Sequence, residues 1–239
     1  TSAAPLESFI PELGLFGVPY VFRDDDHCWQ ILNGPIGKEL LAAGTGVGLR
    51  GLCYYDAGSR SFYSIDKPIL HPDDLKGMKI RVQKSKTAMD MVSELGGSPT
   101  PIPWGELYTA LQQKMVDGAE NNYPSYESTG HYEVAQFYSN SQHLIIPEIV
   151  AVNADVWKSL SAEDQKILKE AAQESAILQR DLWKKREMSS KEKVLAGGVT
   201  INEIPDKSAF QAAMKPVYDK YLADNPEVKP LVELIQNTE

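Results

Sequence analysis

Cysteine and histidine are scarce in this chain, with two and four among 239 residues. That scarcity excludes most metal centres and disulfide scaffolds, which need several ligating or pairing side chains at set spacings. Cys28 and Cys53 lack metal-ligand spacing. They leave one disulfide or two buried thiols as readings, and buried thiols are preferred. Positive charge is also short: 24 Lys and Arg face 33 Asp and Glu, a net charge of −9. Nucleic-acid binding without sequence preference depends on clustered Lys and Arg, so it is excluded as a main role. An anionic small molecule is not, because one positive pocket can sit on an acidic protein. No stretch approaches the roughly 20 apolar residues of a membrane-spanning helix. The longest, such as "HLIIPEIVAV", have strand length. No signal-peptide pattern opens the chain, which reads as cytoplasmic or as a mature exported form.

Catalytic signatures are missing as well. There is no G-x-S-x-G elbow, no H-E-x-x-H and no G-x-x-x-x-G-K-[ST] loop. The glycine cluster "GTGVGLRG" precedes a strand pattern where a dinucleotide loop would follow one, so it reads as a helix-to-strand connection. In "RDDDH" at 23–27, consecutive carboxylates diverge and cannot all ligate one ion. They suit a helix start, where negative charge is favourable. His27, His71, His131 and His143 are scattered. His131 reads as a packing or surface residue, and His143, before a bent strand, is a candidate to face a cleft.

What is present is alternation. At 42% hydrophobic residues, the chain can build one large domain or two lobes. The opening "TSAAPLESFIPELGLFGVPYVF" reads as a segment lying against an existing core. "DDDHCWQILNGPIGKELLAAG" predicts two helices split at "NGP". "VGLRGLCYYDAGSRSFYS" predicts strands turning at Ala57-Gly58. In "LKGMKIRVQKS", Ile80 and Val82 alternate with Lys79, Arg81 and Gln83, a half-buried strand. Ser85 then caps a helix bearing Met89, Met91 and Val92 that stops at Gly96-Gly97. "SPTPIPW" is extended. "GELYTALQQKMVDG" predicts a helix with Leu107, Ala110, Leu111 and Met115 on one face. "AENNYP" is strand-like, "SYESTGHYEVAQFY" predicts one further helix, and "HLIIPEIVAVN" one strand bent at Pro147. From the Ser161–Asp164 capping box to Gly197 a single helix is expected, with a stripe of Ile167, Leu168, Ala171, Ala172, Leu178, Leu182 and Trp183. At ~1.5 Å per residue it spans on the order of 50 Å, more than one lobe. A short strand at "INEIP" and two helices come after it. Strands alternating with helices make the class α/β.

Chemistry then rests on donors. Arg60 sits past a glycine turn beside Phe62-Tyr63, and Arg81 sits on a short strand before a capped helix, where binding loops of α/β folds open. A guanidinium meets a carboxylate with two parallel bonds, which lysine cannot do. Adjacent Asn121 and Asn122 supply donors and acceptors suited to hydroxyl-rich ligands.

The segments "PYVFRDDDH", "LKGMKIRV", "LGGSPTPIPWGELYTALQQKMVDGAEN" and "VNADVWKSLSAEDQKILKEAA" resemble the periplasmic solute-binding proteins of tripartite ATP-independent periplasmic (TRAP) transporters, the DctP-like family. The resemblance weakens after about Lys220. It implies two α/β lobes joined by strands and by a long helix crossing both, closing on a ligand by hinge motion. Residues 1–57 with 145–178 are expected in one lobe, whose N-terminal part is expected to be missing, and 58–144 with 179–239 in the other. The resemblance gives Arg81 the ligand carboxylate and places Arg60 near the cleft. It gives Asn121 a bond to the carboxylate or a hydroxyl and makes Trp104 an aromatic wall. Gln83, Tyr63 and Ser125 follow from position. "YYDAGSRSFY" and "DGAENNYPSYESTGHYEVAQFYS" are similar to members that bind hexuronates such as D-glucuronate and D-galacturonate. The implied protein is a periplasmic monomer, not an enzyme, that needs no cofactor and delivers its acid to membrane permease subunits. The alternatives are another acid (a C4-dicarboxylate, a keto acid or a sialic acid) or a sugar-acid lyase or hydrolase using Glu106 or Glu120 as base. Against that last reading, Glu106 is expected to fix its helix start and Glu120 to anchor its loop.

Overall fold

Proline and glycine cut the first fifty residues into short pieces, each buried by later parts of the chain. In the computed structural model, which describes residues 1–238, 3-10 turns at Ala4–Ser8 and Pro11–Gly17 bury Leu13, Leu15 and Phe16, as expected of a segment lying against a core. Helix α1 (Asp25–Asn33) starts where Asp24 Oδ1 accepts from the His27 N–H at 2.8 Å. Pro35, lacking the N–H that a first helical turn leaves unbonded anyway, opens α2 (Pro35–Ala43). Strand β1 (Leu49–Tyr55) and strand β2 (Ser59–Ser64) flank a link at 56–58. Gly58 turns it with φ +62°, a conformation a side chain disfavours.

The middle of the chain holds β3 (Lys79–Val82), α3 (Lys86–Glu94), β4 (Ser98–Pro101), α4 (Leu107–Gln112), β5 (Gly118–Asn121), α5 (Tyr123–Ser128) and α6 (His131–Val134). Ser85 Oγ accepts from the Ala88 N–H at 3.0 Å and caps α3. Then come β6 (Phe137–Ile145), β7 (Glu148–Asn153), α7 (Ala154–Ser159), α8 (Ala162–Ala196), β8 (Thr200–Glu203), α9 (Ser208–Ala213), α10 (Lys215–Asp224) and α11 (Lys229–Asn237).

The strands form two sheets. Six lie in the order β4-β3-β5-β2-β6-β8, and β1 pairs with β7. β3 runs parallel to β4 and β5, while β2 is antiparallel to β5 and β6. The chain passes between the sheets at 56–58 and at 146–147. Helix α8 is the third connection. On the side of the two-stranded sheet, the Tyr55 hydroxyl donates to Ser175 Oγ at 2.9 Å. Gln179 accepts from the Asp56 N–H at 2.7 Å and donates to the Asp56 carbonyl at 2.8 Å. Further along, Arg186 pairs with Glu127 of α5, which Lys193 also approaches at 3.4 Å. One helix therefore grips both lobes of an α/β fold.

Several expectations need correction. Helix α4 ends at Gln112, and Lys114 at φ +52° turns the chain toward β5, so Met115 is 58% exposed instead of lying on the buried face. The segment 125–138 is not one helix. Gly130 at φ +71° separates α5 from α6, and its last residues enter β6. Pro147 does not bend one strand but divides β6 from β7, which belong to different sheets. Among the described residues three α-helices, not two, come after β8. Glu106 is exposed and its side chain caps nothing. The apolar stripe of α8 is largely outside, with Leu178 59% exposed. The helix is held through polar side chains on its other faces, so periodicity located it without locating its contacts. Cys28 and Cys53 are free, buried thiols.

At the 56–58 link, a Cβ on Gly58 would collide with the Glu187 carboxylate of α8. Burial, then the charges of Asp56 and Asp25, raise the Glu187 carboxyl to about 7. Its ordinary value is 4.5. The folded state therefore holds that proton more tightly than the unfolded chain. The stability this brings is fully present below the unfolded value and is lost as pH rises through about 7. Glu187→Gln is predicted to melt with the wild type at about pH 4 and above it, by roughly 2–4 °C or more, at about pH 8. Thermal denaturation at both pH values is the check, and an equal difference at both contradicts the burial assigned to Glu187.

Candidate ligand-binding site

Strand β3 is exposed at Lys79 and buried at its other three positions. The alternation expected at 79–83 therefore fails at Arg81, which is only 3% exposed. Its Nε donates to the Ile102 carbonyl at 2.9 Å, and its Cζ lies 5.6 Å from the centroid of the Trp104 ring. Pro101 and Pro103 stiffen the loop that supplies both contacts. The Arg81 Nη1 is buried and has no hydrogen-bond partner among the described residues. Burial pushes this guanidinium below its usual range, and neighbouring Arg60 adds to that while Tyr63 and Glu120 oppose it. An arginine stays protonated under such pressure, so what the geometry leaves is a desolvated cation with a donor to spare.

Arg60, on β2, is placed differently. Its Nε donates to Glu120 Oε2 at 2.5 Å, and its Nη2 donates to Glu120 Oε1 and to the Glu120 carbonyl, both at 2.9 Å. Its Nη1 donates to Asn121 Oδ1 at 2.8 Å. A guanidinium has five N–H groups, so these four bonds leave about one. Burial alone would raise the Glu120 carboxyl, but Arg60 and then His143 outweigh it and hold it at about 2. His143 stacks on Phe62 at 4.1 Å and has its Nε2 3.8 Å from Glu120 Oε2. Burial pushes the imidazole down, against the pull of Glu120.

The two asparagines after Glu120 divide their work. Asn121 Oδ1 accepts from Arg60 and from the Asn122 N–H at 2.9 Å, which leaves the Nδ2 amide as its remaining donor. Asn122 Oδ1 accepts from the Ser125 N–H at 2.8 Å and caps α5. Tyr63 is fully buried, with its hydroxyl 2.9 Å from His131 Nδ1. Trp104 is 42% exposed over Arg81. Gln83 is half-buried just past β3, and Ser125 is half-buried in the first turn of α5. Among the described residues, neither of those two side chains hydrogen-bonds to either arginine.

For the binding reading, sequence patterns assign Glu120, His131 and His143 only anchoring, packing or facing a cleft, Glu120 being otherwise named only as a base in the enzyme alternative. Glu120 carries a readable signal: it lies in "GAEN", a strand buried at all four positions, where a carboxylate requires a cation. The histidines carry none. Size does not mark the site. Cavities of about 380 Å³ (beside Glu7, Lys86 and Tyr221) and about 350 Å³ (beside Trp29, Cys53 and Arg180) lie away from Arg81. What distinguishes the site is the buried Arg81 Nη1 without a partner beside the Arg60–Glu120 pair.

A model of the bacterial extracellular solute-binding proteins, family 7 (DctP), matches residues 1–225. The chain belongs to this family. A solute-binding protein of Chromohalobacter salexigens is 42% identical over 235 residues, 98% of this chain and 70% of that protein. The crystal structure of a TRAP periplasmic solute-binding protein from Roseobacter denitrificans, holding β-D-glucuronate, superposes with a TM-score of 0.98 at 50% identity. It covers all of this chain and 79% of its own. One from Sulfitobacter sp. NAS-14.1, holding β-D-galacturonate, gives 0.96 at 45% identity, over 99% of this chain and 79% of its own. The DctP-family chain described here is thus a TRAP-type solute-binding protein with that family's two-lobed fold. Its relatives are extracytoplasmic carriers of solutes, and no described helix is long and apolar enough to cross a membrane.

The buried pair yields a test independent of any ligand. Glu120→Ala leaves Arg60 without its counter-charge and is predicted to lower stability by about 3–5 kcal/mol. Arg60→Met combined with Glu120→Ala is predicted to lose less than the sum of the two single changes. Denaturant unfolding of the three variants measures both, and additive losses contradict the pairing.

Proposed function

We propose that this protein binds a hexuronate, D-glucuronate or D-galacturonate, between its lobes and delivers it to TRAP permease subunits in the membrane. The observation that carries the reading is the buried, unpartnered Nη1 of Arg81. A carboxylate is the chemical partner that satisfies such a fork, with both geometry and charge matched. Hydroxyl recognition falls to Asn121 Nδ2 and the remaining N–H of Arg60, with Gln83 and Ser125 at the rim and Trp104 as a wall packing on a sugar face. Tyr63 supports the site from behind, since its hydroxyl is engaged by His131. One carboxylate with several hydroxyls fits this donor set better than a purely apolar acid does. The uronates held by the two solved relatives support the same choice.

In this reading residues 1–57 and 145–178 form one lobe and 58–144 and 179–239 the other, hinged where the chain passes between the sheets. The protein works as a periplasmic monomer and catalyses nothing. Arg60, paired with Glu120, orients Asn121 as well as contributing its own donor.

Arg81→Ala is predicted to weaken D-glucuronate binding roughly a hundredfold or more, as loss of charge-assisted bonds requires. Arg81→Lys recovers little of it, because a point charge cannot reproduce the fork. Titration calorimetry decides, with D-galacturonate, a C4-dicarboxylate, a keto acid and a sialic acid run beside glucuronate. Near-wild-type affinity in Arg81→Ala overturns the assignment. A dicarboxylate, keto acid or sialic acid that binds more tightly than either uronate replaces the ligand while keeping the arginine.

A further inference from the structure

The Trp104 ring that lies over Arg81 is in contact with a residue from another element. His131 opens α6 just after the left-handed Gly130 and is 1% exposed. Its ring meets Trp104 edge-on, with centroids 5.2 Å apart and planes at 70°. It lies against the Tyr63 ring at 5.8 Å, and its Nδ1 is 2.9 Å from the Tyr63 hydroxyl. Tyr63 is itself fixed in the sheet core, stacked with Tyr138 and packed against Tyr126. Ahead of the ring, Ile102 packs against the Tyr63 cluster and its carbonyl accepts from Arg81, but the Trp104 turn itself is less supported. It is a 3-10 turn with no buried residue and no side-chain cap. The order of support therefore runs from the core through Tyr63, His131 and Trp104 to the guanidinium.

From this geometry we infer that His131 is a positioning residue for the anion site, seating the Trp104 ring against which Arg81 is held. The inference rests on the reading of Arg81 as the carboxylate anchor. The titratable or charged groups facing the imidazole are Tyr63 from β2 and Arg81 from β3. Burial and then the Arg81 charge hold His131 at about 4, so it is neutral near pH 7. A ligand carboxylate on Arg81 cancels that charge and raises His131. Binding at about pH 5 therefore takes up a fraction of a proton, whereas binding near pH 7 takes up none at this residue.

Two variants separate seating from protonation. His131→Ala is expected to weaken D-glucuronate binding about tenfold, the order of one lost aromatic seat and cation–π contact. His131→Phe keeps a ring under Trp104 and is expected to restore most of that affinity while abolishing the proton uptake. Calorimetry in buffers of different ionisation enthalpy at about pH 5 reads both quantities. Wild-type affinity in His131→Ala overturns the seating role, and unchanged proton uptake in His131→Phe overturns the electrostatic coupling. If the wild-type protein binds no uronate at all, the hexuronate assignment fails first, an outcome distinct from either of these.

Discussion

Two guanidinium groups are buried close together in this protein, and one carboxylate, Glu120, neutralises one of them. The pairing is decided by geometry. Glu120 and Asn121 stand on the strand beside Arg60 and meet four of its N–H groups. Arg81, two strands from β2, keeps a bond to a loop carbonyl and a ring to pack on, and its Nη1 has neither acceptor nor water-facing surface. A desolvated cation of this kind is expensive to hold without a counter-charge. At Arg81 the fold provides no carboxylate of its own among the described residues, and the function proposed above assigns that place to the ligand. The protein's net charge of −9 makes the local sign of this site a property of its residues and not of the surface as a whole.

The rest of the structure serves that arrangement. The six-stranded sheet places β3, β5 and β2 side by side, so that Arg81, Asn121 and Arg60 stand on three adjacent strands. Two short links and helix α8 then tie this sheet to the two-stranded one. Gln179 holds the backbone of the first link from both sides, and Glu187 packs against its glycine. Links this short, with a rigid helix alongside, suit rotation of one lobe against the other more than independent drift.

Some of this was legible in the sequence. The capping box at Ser161 and the glycine at 197 bounded α8, Ser85 announced α3 and the acidic run at 24–26 announced α1, because such signals are local, whereas the cap at Asn122 was hidden in a pattern that read as strand. The break at Gly130 was not read, since a single glycine in a helical pattern does not say whether its φ is positive. Alternation does not reveal the burial of Arg81 because it describes a strand with one wet face, while from Ile80 to Val82 β3 is covered on both faces. The Arg60–Glu120 pair joins residues sixty apart, and no local pattern encodes such a meeting. The exposed stripe of α8 shows the converse: a correct period with the wrong partner.

The central claim is that a buried arginine fork recognises the carboxylate of a sugar acid. It is tested most directly from the ligand side, by comparing D-glucuronate with D-glucuronamide, its neutral isostere, in titration calorimetry on the unaltered protein. The account predicts that the amide loses roughly two orders of magnitude in affinity or more, because it leaves a buried charge unneutralised. Equal affinity for the two would contradict it.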